Sequence, residues 1–174
     1  INDIYWRSAL SENEPILIRD GRREDYEHLV SWLKEPGVLS WYPMCNDLEV
    51  EDAAKYWISF AEKKALLVAE VEGVPCGLIN LYVQESKKLA HHALMAIIVK
   101  SAMRGKGVGT LLIEQIKRRA KETFHMEMLL LEVYDGNPAI RLYERMGFKQ
   151  YGSHRGFIKE EWGYVDKHLM QVDL

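Results

Sequence analysis

A short glycine-rich segment, MRGKGVGTLL, combines residue types that can bind a phosphate group. Gly105, Gly107 and Gly109 lack the Cβ atoms that would keep a ligand away from the backbone, and glycine also accepts positive φ angles. Arg104 and Lys106 place two positive charges beside them. The apolar residues that follow predict a helix, whose first N–H groups lack intrahelical partners and attract anions. The segment therefore predicts a diphosphate-binding loop.

The spacing of these glycines decides which kind of phosphate loop this is. A Walker A loop needs Gly-Lys followed by Ser or Thr, which this sequence lacks. A dinucleotide fingerprint needs G-x-G-x-x-G, but its third glycine position holds Thr110 or Leu112, depending on the starting glycine. The pattern R-x-x-G-x-G, from Arg104 to Gly109, resembles the acetyl-CoA pyrophosphate loop of the GNAT superfamily of N-acetyltransferases. A glycine-rich turn that only caps a helix is the alternative for this segment alone.

A second segment, EVYDGNPAIRLYERMGFKQYG, supports the same resemblance. It is similar to the GNAT segment in which a strand leads to an Asn, a short helix with a Tyr, and a Gly-Phe pair. Here these residues are Asn137, Tyr143, Gly147 and Phe148. The resemblance implies an acyltransferase that moves an acetyl group from acetyl-CoA directly to a primary amine, without a metal. The acceptor would be a small amine, an amino acid or a peptide N-terminus.

The resemblance also implies where acetyl-CoA binds. The strand before the loop should splay from its neighbour, so that the backbone of Ile97, Ile98 and Val99 bonds the pantetheine and the thioester. These residues equally fit an ordinary core strand. The loop should contribute Arg104, Gly105, Lys106, Gly107, Val108, Gly109 and Thr110. Asn137 is expected either to contact the cofactor or to cap the next helix.

Tyr143 is the expected general acid. A phenol with an ordinary pKa of about 10 is protonated at neutral pH and can share its proton with a leaving thiol. A tyrosine that merely packs on the sheet is the alternative. A CoA-binding sensor or structural module without turnover is the alternative for the whole protein, and Tyr143 argues against it because such a module needs no proton donor.

The general base is less evident. Many relatives carry a Glu or His on the strand before the loop, where this chain has Ala93, Leu94 and Met95. His91 shares strand parity with residues 93 and 95, so it is the expected base, acting through a water. Further candidates are His92, Glu85 and His154. A solvated surface role is the alternative for each of them.

In the GNAT family the acceptor pocket usually lies between the first two helices and the late strands. Aromatic residues are frequent there, namely Trp32, Trp41, Tyr42, Tyr56, Trp57, Tyr151, Phe157, Trp162 and Tyr164. Most are expected in the core. An acidic run follows the first helix, comprising Asp47, Glu49, Glu51 and Asp52. It fits either attraction of a cationic amine or a solvated helix start.

The elements that must position these residues alternate along the chain. Hydrophobic periodicity predicts strands at 15–20, 65–71, 76–83, 91–99 and 126–134, with two more β segments after Gly147. It predicts helices over 23–35, from about residue 47, over 108–122 and over 139–146. The predicted fold class is α/β (α+β mixed), a GNAT-like central mixed sheet of six to seven strands flanked by about four helices.

Composition narrows the remaining classes. With 174 residues, 48% of them hydrophobic, the chain is expected to form one domain over residues 1–174. A net charge of −3 gives no general attraction to nucleic acid or anionic membranes. Neither a membrane span nor a secretory signal is expected, and the two cysteines indicate neither a disulfide framework nor zinc. A cytoplasmic protein is expected, and a homodimer is left open.

Overall fold

The structure, a computed structural model, describes residues 15–174 and the backbone of one further short strand. The strands are β1 (Ile4–Tyr5), β2 (Ile16–Asp20), β3 (Leu66–Val71), β4 (Val74–Tyr82), β5 (His92–Val99), β6 (Met128–Tyr134), β7 (Lys149–Glu160) and β8 (Gly163–Asp173). The helices are α1 (Tyr26–Leu33), α2 (Asp47–Ser59), α3 (Val108–Glu122) and α4 (Ile140–Arg145). Short 3-10 turns occupy Arg23–Asp25, Val38–Trp41 and Ser101–Met103.

All the strands belong to a single mixed sheet with the order β1-β2-β3-β4-β5-β6-β8-β7. Neighbours are antiparallel except β5 and β6, which run parallel. In the part of the chain described, the sheet has seven strands of five residues or more besides the two-residue β1, and four α-helices flank it. The predicted fold class is confirmed.

The helices cover the two faces of this sheet. On one face α3 buries Val108, Leu112 and Ile116 against the sheet, and α4 packs on the same side through Tyr143. On the other face α1 and α2 form a second apolar cluster with the sheet. Burying a Leu or Ile side chain of this kind contributes about 1.5–3 kcal/mol, so the amphipathic helices are held mainly by this packing.

The predicted strands 65–71 and 76–83 form the antiparallel hairpin of β3 and β4, and the turn is shorter than the four residues between the predicted strands. Only Glu72 and Gly73 lie between the strands, with φ values of 51° and 77°. Two positive φ angles are typical of a two-residue type I′ turn, which matches the twist of the flanking strands. Val74 and Pro75 therefore already belong to β4. In the described residues, no helix is long and apolar enough to cross a membrane.

Candidate functional site

The two parallel strands β5 and β6 separate halfway along their length. They pair over three residues only, His92–Leu94 against Met128–Leu130. Beyond this point β5 stays with β4 and β6 stays with β8, so the two strands diverge. A cleft opens between them in the middle of the sheet, and the splay expected before the glycine loop is present.

Strand alternation decides which backbone groups of β5 face this cleft. The N–H of Lys100 donates to the carbonyl of Cys76 on the β4 side, at 2.9 Å. Because backbone groups alternate sides along a strand, Ile98 also directs its N–H and carbonyl to β4. Ile97 and Val99 direct theirs into the cleft. Ile98 is thus not positioned to offer backbone hydrogen bonds to a cofactor, unlike its two neighbours.

The protein itself occupies both of these cleft-facing carbonyls. The Tyr42 hydroxyl donates to the carbonyl of Ile97 at 2.9 Å. Arg104 turns back so that its Nε donates to the carbonyl of Val99 at 3.1 Å. β6 does not pair with β5 at these two residues, so their N–H groups remain directed into the cleft. Arg104 therefore helps to fix the end of β5, and Tyr42 holds its middle.

The glycine loop follows at the open end of the cleft. Gly105 and Gly107 have φ values of 74° and 86°, which only glycine adopts without strain. Gly107 is the N-cap of α3, so the N–H groups of Val108, Gly109 and Thr110 form the first turn of that helix. These three N–H groups have no intrahelical partners and carry the positive end of the helix dipole. The loop thus has the geometry of an anion site.

Not every loop residue has the role that its type suggests. A Cβ on Gly109 would lie 2.9 Å from Leu142 Cδ2, so a larger residue here would have to displace the Leu142 side chain of α4. The Val108 side chain is buried in the core. Lys106 is exposed at the rim, with Nζ 3.8 Å from Met103 Sδ. The expected close approach of phosphate to the backbone therefore rests on Gly105 and Gly107.

Two cavities flank the cleft. The first, here called the loop cavity, has a volume of about 550 Å³ and lies between the glycine loop, the end of β5 and α4. Predicted site residues that line it are Ile97, Ile98, Val99, Arg104, Gly105, Gly107, Gly109, Thr110, Asn137 and Tyr143. The second, the α2 cavity, has a volume of about 570 Å³ and lies between α2 and strands β5, β6 and β8. Both volumes fall within the range of small-molecule sites.

The two cavities meet at a shared set of side chains. Trp41, Tyr42, Ile97, Asn137 and Tyr143 line both of them. Because α2 packs on the opposite face of the sheet from α3 and α4, the cavities approach each other through the cleft. A ligand in the loop cavity and a second ligand in the α2 cavity would therefore be in contact at this junction.

Tyr143 lies at the junction and is 8% exposed. Its ring packs edge-on against Phe148, with centroids 6.1 Å apart. Its hydroxyl has no hydrogen-bond partner among residues 15–174. Burial raises the pKa of Tyr143 to about 12. The phenol is therefore protonated at neutral pH, and its proton is not engaged by another described side chain.

Asn137 caps a backbone turn and also lines the junction of the two cavities. Its Oδ1 accepts a hydrogen bond from the N–H of Ala139 at 2.9 Å, which caps the turn before α4. Pro138 follows with no N–H to satisfy. The side-chain amide nitrogen of Asn137 is left for a ligand, so capping and ligand contact are compatible in this residue.

The expected base candidates lie elsewhere. His91 precedes β5 at its closed end, where its carbonyl accepts from the N–H of Glu127 at 2.7 Å. Six residues of extended strand separate it from Ile97, about 20 Å. Neither cavity is lined by His91, His92, Glu85 or His154. The residues of β5 that share the parity of His91, Ala93 and Met95, face the α3 side of the sheet, so parity alone does not bring His91 to the α2 cavity.

Sequence reasoning missed the charged pair in the α2 cavity. Glu132 of β6 and Lys167 of β8 both line this cavity, with Oε2 and Nζ 2.6 Å apart. The Lys167 side chain is 10% exposed and its Nζ lies 3.6 Å from the centroid of the Phe157 ring. Glu132 is more open to solvent, at 42% of its side chain. The signal for it was a lone carboxylate within the apolar run MLLLEVY.

Some of the predicted aromatic residues line the α2 cavity, whereas the acidic run lies at the start of α2. Trp41, Tyr42, Tyr56, Trp57 and Phe157 line the α2 cavity, whereas the other predicted aromatics do not. The acidic run serves the start of α2. The Asn46 side chain accepts from the N–H of Glu49 at 3.0 Å, and the Glu49 carboxylate accepts from the N–H of Cys45 at 2.8 Å. The alternative of a solvated helix start therefore fits the run.

A metal site is not evident in the part of the chain that the structure describes. No group of three or more His, Cys, Asp and Glu side chains is arranged there to hold a metal ion. The polar side chains that line the two cavities include tyrosine phenols, the amides of Gln84 and Asn137, the Thr110 hydroxyl, two arginines and the Glu132–Lys167 pair.

Comparison with known proteins agrees with this arrangement. The sequence model of the Acetyltransferase (GNAT) family matches residues 20–148. An L-amino acid N-acetyltransferase of Escherichia coli K12 is 27% identical over 160 residues, covering 89% of this chain and 96% of that protein. An N-alpha-acetyltransferase of Sulfurisphaera tokodaii is 34% identical over 120 residues, covering 63% of this chain and 70% of that protein.

A solved structure shows the same fold. A putative acetyltransferase from Salmonella typhimurium, solved with its cofactor acetyl-CoA, superimposes with a TM-score of 0.72 at 20% identity, covering 91% of this chain and 94% of that one. The family match spans the splayed strands, the glycine loop and the Tyr143 helix together. The chain therefore belongs to the GNAT family of acetyltransferases and is an N-acetyltransferase.

Proposed function

We propose that this enzyme transfers an acetyl group from acetyl-CoA directly to a primary amine, with the two substrates bound in the loop cavity and the α2 cavity. The observation that carries the proposal is the junction, where Ile97 and Tyr143 line both cavities. The glycine loop supplies the N–H groups for the pyrophosphate, and Arg104 and Lys106 supply positive charge beside it.

Acetyl-CoA supplies an acetyl group activated as a thioester, and the residues of the junction assist its transfer. The N–H groups of Ile97 and Val99 face the cleft and can bind carbonyl oxygens. The C–N bond to the amine forms as the C–S bond breaks. Before this step the acceptor ammonium loses one proton to solvent through Glu132, so that the amine attacks in its neutral form. Tyr143 donates its proton to the departing sulfur, and Glu132 in the α2 cavity accepts the second proton that the nitrogen loses. Solvent then returns Tyr143 and Glu132 to their starting states.

The wall of the α2 cavity and the activities named for the relatives support an amine as the acceptor. The matched proteins include an L-amino acid N-acetyltransferase and an N-alpha-acetyltransferase. Both names describe acetylation of an amine, and Glu132 is a group that binds an ammonium. The acceptor is therefore a small amine, an amino acid or a peptide N-terminus. We do not favour a CoA-binding module without turnover, because it would have no use for a phenol and a carboxylate around the junction.

Substitution of Tyr143 by Phe tests the proposal. The hydroxyl has no partner among the described residues, so the fold and the affinity for CoA should change little. The kcat should fall by about 10²- to 10⁴-fold, as expected for the loss of a general acid. The measurements are thiol release from acetyl-CoA with a panel of amines, CoA affinity by calorimetry, and thermal unfolding.

Tyr151→Phe is the matched control, because Tyr151 is 53% exposed and lines neither cavity. Turnover of Tyr143→Phe within about twofold of the wild type would contradict the acid role. Wild-type protein that binds CoA but releases no thiol with any amine would instead support a binding module.

A further inference from the structure

The α2 cavity has an uneven chemical lining. Of the residues that line it, only Glu132 and Lys167 carry a charge. The remaining wall is largely apolar and aromatic, with Tyr56, Trp57 and Tyr82 on one side and Phe157 near the charged pair. Charge discrimination between acceptors must therefore take place at this one pair.

The pair retains capacity for further hydrogen bonds. Glu132 uses Oε2 for Lys167, and Oε1 has no partner among residues 15–174. Lys167 Nζ carries three protons, of which one is donated to Glu132 and one side faces the Phe157 ring. One acceptor position and one donor position thus remain at neighbouring points of the wall.

These two positions match a zwitterion. We propose that Glu132 binds the ammonium and Lys167 the carboxylate of a free α-amino acid with an apolar side chain, which deepens the proposed function and depends on it. The ammonium and the carboxylate of a free amino acid are attached to the same carbon. They are therefore close together, as the charges of Glu132 and Lys167 are. The charges of Glu132, Lys167 and the ligand's ammonium and carboxylate then alternate in sign. The ligand's carboxylate gives the buried Lys167 a second partner while the ligand's ammonium binds to Glu132.

Other acceptors fit this wall less well. A peptide N-terminus offers an ammonium but an amide where the carboxylate would be, so Lys167 loses its second partner. A polyamine brings a second cation toward Lys167, which is unfavourable because the lysine is only 10% exposed. An apolar side chain, in contrast, removes water from the aromatic wall that Tyr56, Trp57 and Tyr82 form.

Three acceptors test the carboxylate directly. L-leucine, L-leucinamide and 3-methylbutylamine share the side chain and the amine and differ only at the carboxylate position. The measurement is kcat/KM from thiol release with the wild-type enzyme and with Lys167→Met, which keeps much of the aliphatic stem but not the charge. The amine pKa differs among the three acceptors, so the informative quantity is the leucine-to-leucinamide ratio in the variant relative to the wild type.

A lost hydrogen bond to a charged group costs about 1.5–3 kcal/mol, so the ratio should fall by roughly 10- to 150-fold in Lys167→Met. The kcat/KM values for leucine and leucinamide should both fall as well, because Glu132 loses its partner. The ratio of the two values isolates the contribution of the ligand's carboxylate. Lys159→Met is the control, since Lys159 is exposed on β7 and lines neither cavity. Lys167→Gln serves as a second variant if the Met variant unfolds below the assay temperature.

The outcomes separate the two proposals. An unchanged ratio in both Lys167 variants, with amine turnover retained, would overturn the assignment of Lys167 and leave the acetyltransfer reaction standing. Wild-type turnover of leucinamide and 3-methylbutylamine but not of leucine would also overturn it. No thiol release with any amine, in a protein that binds CoA, would overturn the proposed function and this inference together.

Discussion

Tyr42→Phe is the most informative single change outside the residues of proton transfer. The substitution keeps the ring, which packs edge-on against Trp57 at 6.1 Å, and removes the hydroxyl that donates to the Ile97 carbonyl at 2.9 Å. A buried hydrogen bond contributes about 0.5–1.5 kcal/mol net. The freed carbonyl faces a cavity of about 550 Å³, so water can replace the phenol there and limit the penalty.

We therefore expect Tyr42→Phe to lose about 1 kcal/mol of unfolding free energy, which corresponds to a Tm about 2–4 °C lower for a chain of this length. The effect on catalysis should be larger. Tyr42 fixes the β5 residue whose N–H faces the junction, and small displacements of groups around a reaction centre are costly, so kcat should fall about tenfold. Thermal unfolding and steady-state thiol release measure the two effects.

Tyr151→Phe again supplies the control, because Tyr151 is exposed and lines neither cavity. A Tm loss above about 8 °C would mean that the hydroxyl supports the core and not one local contact. An unchanged kcat would refute the argument that the Tyr42–Ile97 bond positions the cleft.

Two further predictions concern the loop and alkaline pH. Gly107→Ala places a Cβ on a residue with φ of 86°, so it should cost about 1–2 kcal/mol of stability and weaken CoA binding. The control Gly73→Ala, with φ of 77° in the β3–β4 turn, should cost similar stability without changing CoA affinity. Equal CoA affinities of the two variants in calorimetric titrations would contradict the loop assignment. Burial raises the pKa of the Cys76 thiol to about 11 and the pKa values of Tyr134 and Tyr143 to about 12. The same groups ionise at lower pH in the unfolded chain, so the free energy of unfolding should stay constant up to about pH 8 and fall between about pH 9 and 12. Urea unfolding midpoints across this range check the alkaline prediction, and stability that does not fall between about pH 9 and 12 would contradict it.

The sequence was sufficient for those features that depend on local spacing. The elements follow from hydrophobic periodicity, because each helix and strand must turn one face to the core. The glycine loop and Tyr143 were identified by resemblance to family patterns that each lie within one short segment. In each case the determining signal lies within one segment of the chain, and the structure places these segments around one cleft.

The remaining parts of the site depend on contacts between distant segments. Tyr42 reaches Ile97 across 55 residues of sequence, and Lys167 reaches Glu132 across 35. The second contact exists only because β6 and β8 pair antiparallel, which places the two side chains diagonally on one face. The hydrophobic periodicity within a single segment does not show that β6 pairs with β8. The position of His91 outside both cavities could not be predicted for a related reason, since parity does not give a distance along the strand.

The splay of β5 and β6 connects the stability of the fold to its function. Along β5, Ile97 and Val99 turn their backbone groups to the cleft, whereas Ile98 keeps its backbone paired with β4 and its side chain in the core on the α1 and α2 side. The strand can therefore expose backbone groups for binding without exposing its core face. The unmade pairs between β5 and β6 cost stability in the free protein, because backbone groups at a buried edge need partners. A ligand that enters the cleft and satisfies these groups regains that free energy as affinity, so the same missing pairs that weaken the sheet strengthen binding at the junction.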